Sequence, residues 1–159
     1  MKPKEILVFG ASGFIGINLI RKLTRKNYKV TAVTRNTHSQ KSLRLKTQSN
    51  YGYISLVEAN IFDYEKIKML IEKADICVNL IGILTERKKN TFKNIHSNFP
   101  SIISKLARES NLDQFIHISA IGIEESSKVS NYAKTKLEGE NLVLKNFSDA
   151  TILRPSVVF

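Results

Sequence analysis

Three side chains in this 159-residue sequence have types and spacing that could do chemistry together: Ser119, Tyr132 and Lys136. Tyr132 and Lys136 are four residues apart, so on a helix they project from one face. Ser119 ends the apolar run Gln114–Ser119, which reads as a strand, and a residue at a strand end faces the same crevice. A phenol, an ammonium and a hydroxyl so arranged suit proton transfer at an oxygen, coupled to hydride transfer. Tyr132 would give or take the proton, and Ser119 would orient the reacting oxygen. A free tyrosine has a pKa of about 10, and working near neutrality requires ~4 kcal/mol of help. An ammonium at Lys136, a nearby positive ring and a low local dielectric can supply it. Tyrosine and lysine at this spacing also describe an ordinary exposed helix face. Lys134 is a nearby decoy at the wrong spacing.

The second group is Gly10-Ala11-Ser12-Gly13-Phe14-Ile15-Gly16. It follows Ile6–Phe9, a buried strand by composition, and runs into a helix predicted over Ile15–Lys26. A strand, a glycine-rich turn and a helix in that order make a dinucleotide site. Gly10 allows the tight turn, Gly13 lets backbone approach a pyrophosphate, and Gly16 lets the helix pack on the strand. The first N–H groups of such a helix lack internal partners and point at the phosphates. The spacing is GxxGxxG rather than GxGxxG, and an ordinary tight turn shares it.

The elements that must position these groups alternate throughout. After the first strand and helix come a strand over Lys29–Thr34 and a polar stretch from Asn36 to Asn50, with a short helix at Lys41–Lys46. A strand at Ile54–Glu58, a helix at Tyr64–Lys73 and a strand at Asp75–Asn79 follow. A long helix covers Phe92–Ser110, which Pro100 should kink or divide. Beyond the strand ending at Ser119 lie a helix at Asn131–Lys145 and a strand at Ala150–Leu153. Such alternation predicts an α/β fold: a doubly wound parallel sheet of about six strands in the order 3-2-1-4-5-6, with its crevice where the order reverses.

Residues just after each strand are therefore informative. An NAD site would place a carboxylate after the second strand, but the sequence has Thr34-Arg35-Asn36. Arg35 can pair with the 2′-phosphate of NADP, assisted by Lys41 and Arg44, which favours NADP while leaving NAD open. A surface arginine is the alternative. After the third strand, Ile61 can pack on an adenine face and Asn60 can bond its edge, while Asp63 suits a helix N-cap. After the fourth, Gly82 lets the chain pass close to a cofactor or simply makes a turn.

Composition sets outer limits. The chain is 42% apolar, with a formal charge of +11 and one cysteine, Cys77, best read as an inert core thiol. The length suits one domain over residues 1–159. No stretch has the length and hydropathy of a membrane span, and the strand beginning near Met1 leaves no room for a leader, which points to a bacterial cytoplasmic protein. The basic residues are spread along the chain; Arg87-Lys88-Lys89 is the dense cluster. No nucleic-acid motif accompanies them, and no metal-ligand spacing exists. His117 reads as a packed strand residue, His96 lies on the long helix and His38 in a polar loop.

Together these motifs resemble the extended and atypical short-chain dehydrogenase/reductase superfamily, the NAD-dependent epimerase/dehydratase-like Rossmann enzymes. The resemblance covers the whole chain. The stretches Asn79–Leu84, Phe92 with Ile95-His96, Phe115–Gly122 and Ile152–Phe159 are similar to the subgroup containing the nucleotide-binding accessory subunit of respiratory complex I and its bacterial relatives. The resemblance implies bound NADPH and a structural or assembly role, with possible respiratory-complex or peripheral inner-membrane association. It implies that Gly10, Gly13, Gly16 and Arg35, with Ser12, Phe14, Ile15, Asn60 and Ile61, hold the adenosine-phosphate half. Ser119, Tyr132 and Lys136, with Gly82, would surround the nicotinamide, Lys136 holding its ribose. Relatives commonly carry aspartate where this chain has Asn60, and they continue beyond Phe159 into a substrate-binding region expected to be absent here. Two other functions compete: a catalytically active NADP-dependent oxidoreductase or epimerase using Ser119, Tyr132 and Lys136 on an unknown small molecule, and a basic module binding anionic lipid or nucleic acid through Arg87–Lys89.

Overall fold

The run Ile6–Phe9 is almost wholly withdrawn from solvent, as a strand covered on both faces requires. In the computed structural model, which describes residues 3–50 and 52–156, it forms most of β1 (Glu5–Phe9). β2 (Lys29–Thr34) pairs parallel on one side of β1, from Glu5↔Lys29 to Phe9↔Val33, and β4 (Ile76–Asn79) pairs parallel on the other. β3 (Ile54–Glu58) extends the sheet beyond β2. Helix α1 (Phe14–Arg25) buries Gly16, Ile20 and Thr24, a stripe at four-residue spacing. Helix α2 (Gln40–Gln48) is capped by Ser39 and buries Leu45. Helix α3 (Tyr64–Ile71) is capped by Asp63 and buries Ile67 and Ile71. These elements make up one of two compact units, which ends at Leu80.

The second unit begins at Ile81. A π-helical segment, Lys93–Asn98, runs directly into α4 (Phe99–Glu109). β5 (Gln114–Ile118), α5 (Ile123–Ser126), α6 (Asn131–Asn146) and β6 (Thr151–Leu153) follow. β5 and β6 pair in parallel, from Ile116↔Thr151 to Ile118↔Leu153. The strand order is β3-β2-β1-β4-β5-β6, the doubly wound order expected from the sequence. Among the described residues no helix is long and apolar enough to cross a membrane.

Pro100 sits where the expected long helix divides into two types, in the first turn of α4 directly after the π-helical Lys93–Asn98. It lacks the N–H that would reach back to the His96 carbonyl, and the turn before it is widened instead: the Phe99 N–H bonds the Asn94 carbonyl, five residues back. Other differences are small. α2 is longer than its predicted core, α3 ends at Ile71, and α5 is a four-residue helix too short to show a periodic pattern. Val157–Phe159, the end of the family-like stretch, lie outside the described residues.

Candidate functional site

In the first unit, the chain leaves β1 through Gly10, whose φ of 78° is left-handed. The Gly13 N–H closes the turn onto the Gly10 carbonyl at 3.0 Å. Gly16 then brings α1 down on that turn: a Cβ there would lie 2.5 Å from both the Gly10 and Ala11 carbonyl oxygens. Gly13 is the N-cap of α1 and supplies no side-chain acceptor, and the first turn holds no acidic residue. The helical ladder starts with the Ile17 N–H on the Gly13 carbonyl at 3.0 Å. The N–H groups of Phe14, Ile15 and Gly16 precede it, as an anion-binding helix start requires. Ser12 is half-buried, while Gly13 and Phe14 are exposed.

Arg35 follows β2, exposed. Its loop is organised by Glu58 at the end of β3, a carboxylate the sequence reading passed over. Glu58 Oε2 accepts from the Thr37 N–H at 3.1 Å and from its hydroxyl at 3.4 Å. The signal was available, because a strand end beside β2 faces the same loop. Lys41 and Arg44 are exposed on α2. Asn60 is exposed, and its Oδ1 accepts the Phe62 N–H at 3.0 Å, while Asp63 takes the cap of α3 through the Lys66 N–H at 3.2 Å. Ile61 is half-buried beside them.

In the second unit, Ser119 directly follows β5. Its N–H donates to the Leu153 carbonyl at 2.8 Å, and its buried Oγ has no hydrogen-bond partner among the described residues. Such an orphaned hydroxyl fits a bound group that completes it. Lys136 is also buried, and its Nζ donates to the Ile118 carbonyl at 3.1 Å, one residue before Ser119. Burial pulls the Lys136 ammonium down to about 8, partly offset by the Glu140 carboxylate. Gly82 is exposed beside it, and a Cβ on Gly82 would sit 3.5 Å from Lys136 Nζ. Tyr132 is half-buried one helical turn before Lys136. Burial raises its pKa, so the protein alone does not make the phenol acidic. The lowering that neutral-pH proton transfer needs must come from groups brought by a ligand.

The residue the sequence reading undervalued is His96. The π-helical turn places it in the second unit's interior, almost fully buried. Its ring stacks on Phe92 at 5.4 Å between centroids, and Tyr132 meets it edge-on at 5.1 Å. Burial, then the Lys136 ammonium, pushes its pKa down to about 4, so it is neutral at ordinary pH. The four-residue spacing of Phe92, His96 and Pro100 was the available signal. A groove of about 840 Å³ runs along the opposite side of α6, past Lys134, Leu137, Asn141 and Lys145. Its lining includes none of Ser119, Tyr132 or Lys136.

Comparison with known proteins adds to this geometry. Residues 6–159 match the family model described as the NAD dependent epimerase/dehydratase family. The NADH-ubiquinone oxidoreductase 40 kDa subunit of Neurospora crassa mitochondria is 28% identical over 96% of this chain, which covers 40% of that protein. The mitochondrial NADH dehydrogenase 1 alpha subcomplex subunit 9 of Dictyostelium discoideum is 30% identical over 96% of this chain and 42% of its own length. The chain thus spans about two-fifths of these curated relatives. Among solved structures, a putative NAD-dependent epimerase/dehydratase from Bacillus halodurans superposes with a TM-score of 0.80 at 20% identity, covering 96% of this chain and 70% of that one. A UDP-glucuronic acid 4-epimerase from Bacillus cereus, in complex with NAD, gives 0.76 at 23% identity, covering 98% and 57%.

Proposed function

Since the chain belongs to the NAD dependent epimerase/dehydratase family, we propose that it is an NAD(P)H-binding module of the kind found in respiratory NADH dehydrogenase accessory subunits, with a structural or assembly role. The observation that carries the binding reading is the start of α1: a left-handed Gly10, a Gly16 pressed against the turn, and a helix N-terminus with no side-chain cap. The N–H groups of Phe14, Ile15 and Gly16 would hold the pyrophosphate. Arg35 would pair with a 2′-phosphate, which favours NADPH over NADH. Association with a respiratory complex is supported by the relatives' identity.

Catalysis as an oxidoreductase or epimerase is a second reading, supported by the buried, unpartnered Ser119 Oγ. When bound, a nicotinamide supplies hydride transfer. This chain's own residues would do the rest: the Ser119 hydroxyl orients the reacting oxygen, Tyr132 Oη holds or delivers its proton, and Lys136 places a positive charge nearby.

Calorimetric titration of the chain with NADPH and NADH tests both readings. NADPH binding that Gly13→Val abolishes and Arg35→Ala weakens selectively is the expected result; binding undiminished by Gly13→Val would overturn the phosphate-turn assignment. Tyr132→Phe should keep the affinity under both readings. Cellular function unchanged by that substitution would favour the structural role over catalysis.

A further inference from the structure

The His96 imidazole is held at both nitrogens. Nε2 lies 3.1 Å from the Ile83 N–H and accepts it, so that nitrogen carries no proton. The proton of the neutral ring therefore sits on Nδ1, which donates to Thr135 Oγ1 at 3.3 Å. The Thr135 hydroxyl donates in turn within α6, lying 2.9 Å from the Asn131 carbonyl and 3.0 Å from that of Tyr132. The ring plane is fixed as well, with Phe92 stacked at 18° and Tyr132 edge-on at 84°. On the other side, a Cβ on Gly82 would lie 3.9 Å from His96 Nε2 and 3.5 Å from Lys136 Nζ. One imidazole thus joins the loop at Gly82–Ile83, the helix that carries Tyr132 and the surroundings of Lys136.

A leucine or phenylalanine could fill the same space. Neither could accept the Ile83 N–H, and leaving this part-buried amide unpaired costs more than a lost contact. Directional bonds at both nitrogens mark a device for orientation rather than a filler.

We propose that His96 is the positioning residue for Tyr132: held as the Nδ1–H tautomer between the Ile83 amide and the Thr135 hydroxyl, its ring sets the plane of the Tyr132 phenol and the course of the Gly82–Ile83 loop beside Lys136. The inference rests on the reading of Ser119, Tyr132 and Lys136 as the group that meets the nicotinamide.

The test uses the full chain without added dinucleotide. Imidazole ¹⁵N shifts report the tautomer, amide exchange reports the Ile83 N–H, and the ultraviolet difference spectrum against Tyr132→Phe reports ionisation of Tyr132. His96→Gln keeps an acceptor able to reach Ile83, and His96→Leu does not. Thr135→Val removes the Nδ1 partner while leaving the ring in place, and serves even if His96→Leu fails to fold. We expect a single Nδ1–H tautomer in the wild type. In His96→Leu, Ile83 exchange should rise about tenfold or more. The Tyr132 midpoint should fall toward that of a free tyrosine in His96→Leu, His96→Gln and Thr135→Val, because all three lose the ring or its Nδ1 bond, whereas His96→Gln should return only Ile83 exchange close to wild type. A mixed tautomer in the wild type, an unmoved Tyr132 midpoint, or equal Ile83 exchange in the leucine and glutamine variants would overturn the proposal. A wild-type chain that binds neither NADPH nor NADH would instead defeat the nucleotide reading, and these dinucleotide-free readouts would still judge His96.

Discussion

Gly139 of α6 lies directly against the backbone carbonyl of His96, so a Cβ on Gly139 would overlap that oxygen and stand 3.0 Å from its carbon. The contact follows from the widened turn, in which Pro100 cannot take the His96 carbonyl into an ordinary helical bond. α6 reaches this close only because position 139 has no side chain. Ser97 Oγ bonds the Thr135 carbonyl at 2.9 Å and Glu138 at 3.0 Å, and Lys93 pairs with Glu138, fastening the same surfaces.

Gly139→Ala should therefore destabilise the protein, although alanine favours helix. The atoms in the way are backbone and cannot swing aside, so the cost of forced overpacking, about 2 kcal/mol, outweighs the roughly 1 kcal/mol of propensity gained only if the helices cannot separate. A net loss of about 1 kcal/mol would lower Tm by roughly 2–4 °C. Differential scanning calorimetry checks it, and a Tm at or above wild type would show that α6 withdraws from the π-helical turn at no cost.

Lys136 makes stability depend on alkaline pH in a direction opposite to most groups. Its ammonium is held down from 10.5 to about 8 by burial, so the folded chain releases this proton before the unfolded chain does. Between about pH 8 and 10.5 the unfolded state binds more protons, and stability from this residue rises with pH, by up to about 3 kcal/mol. Cys77 and Tyr132, both raised by burial, act the other way as pH climbs past their unfolded values. The comparison with Lys136→Met isolates the lysine. Any stability advantage of the methionine variant should shrink from pH 8 to 10.5 in urea unfolding, and a pH-independent gap would mean the ammonium is solvated in the folded chain.

Much of this was legible in the sequence because it depends on local rules. The Gly10–Gly16 turn, the alternation of strands and helices and the sheet order follow from glycine geometry, apolar runs and topology. Asp63 as an N-cap and Cys77 as a buried thiol were also readable from neighbouring residues. His96 was not, because its importance comes from a widened turn and from partners at Ile83 and Thr135, distant in sequence. Glu140 escaped notice for the same reason: a glutamate in a polar helix stretch reads as exposed until Arg154 is known to lie beside it. The four-residue spacing from Tyr132 did separate Lys136, which is buried, from Lys134, which is exposed.

Arg154 and Glu140 tie the segment after β6 to α6. The guanidinium grips the carboxylate with Nε at 3.0 Å and Nη2 at 2.6 Å, and Nη2 also reaches Glu124 at 2.9 Å. Glu140 is buried, whereas the Arg154 side chain is 41% exposed. Arg154→Met leaves a buried carboxylate without its forked partner. Full burial of both groups would put that loss at about 3–5 kcal/mol; water reaching the arginine side reduces it to roughly 2 kcal/mol. Glu140→Gln should cost less, because the amide oxygen still accepts from Arg154. Chemical denaturation of the two single variants and the double variant gives the coupling directly, and a coupling near zero would assign the pair to the solvated surface.

Two buried histidines should dominate the first stage of acid destabilisation. Burial, with a contribution from the Lys136 ammonium, lowers His96 to about 4 and His117 to about 3, against 6.5 for a free histidine. Both stay neutral in the folded chain while the unfolded chain takes up their protons. Their stabilisation is complete above about pH 6.5 and is lost as pH falls toward their folded values, at about 1.4 kcal/mol per pH unit for each. Carboxylates titrate mainly below about pH 5, so the window from about 5 to 6.5 belongs to the histidines. Urea unfolding across that window should show an average slope of about 2 kcal/mol per pH unit in the wild type, steepening toward about 3 at its acid end, and about half of it in His96→Gln. An unchanged slope in the variant would mean that His96 is protonated in the folded chain, and it could not then accept the Ile83 N–H.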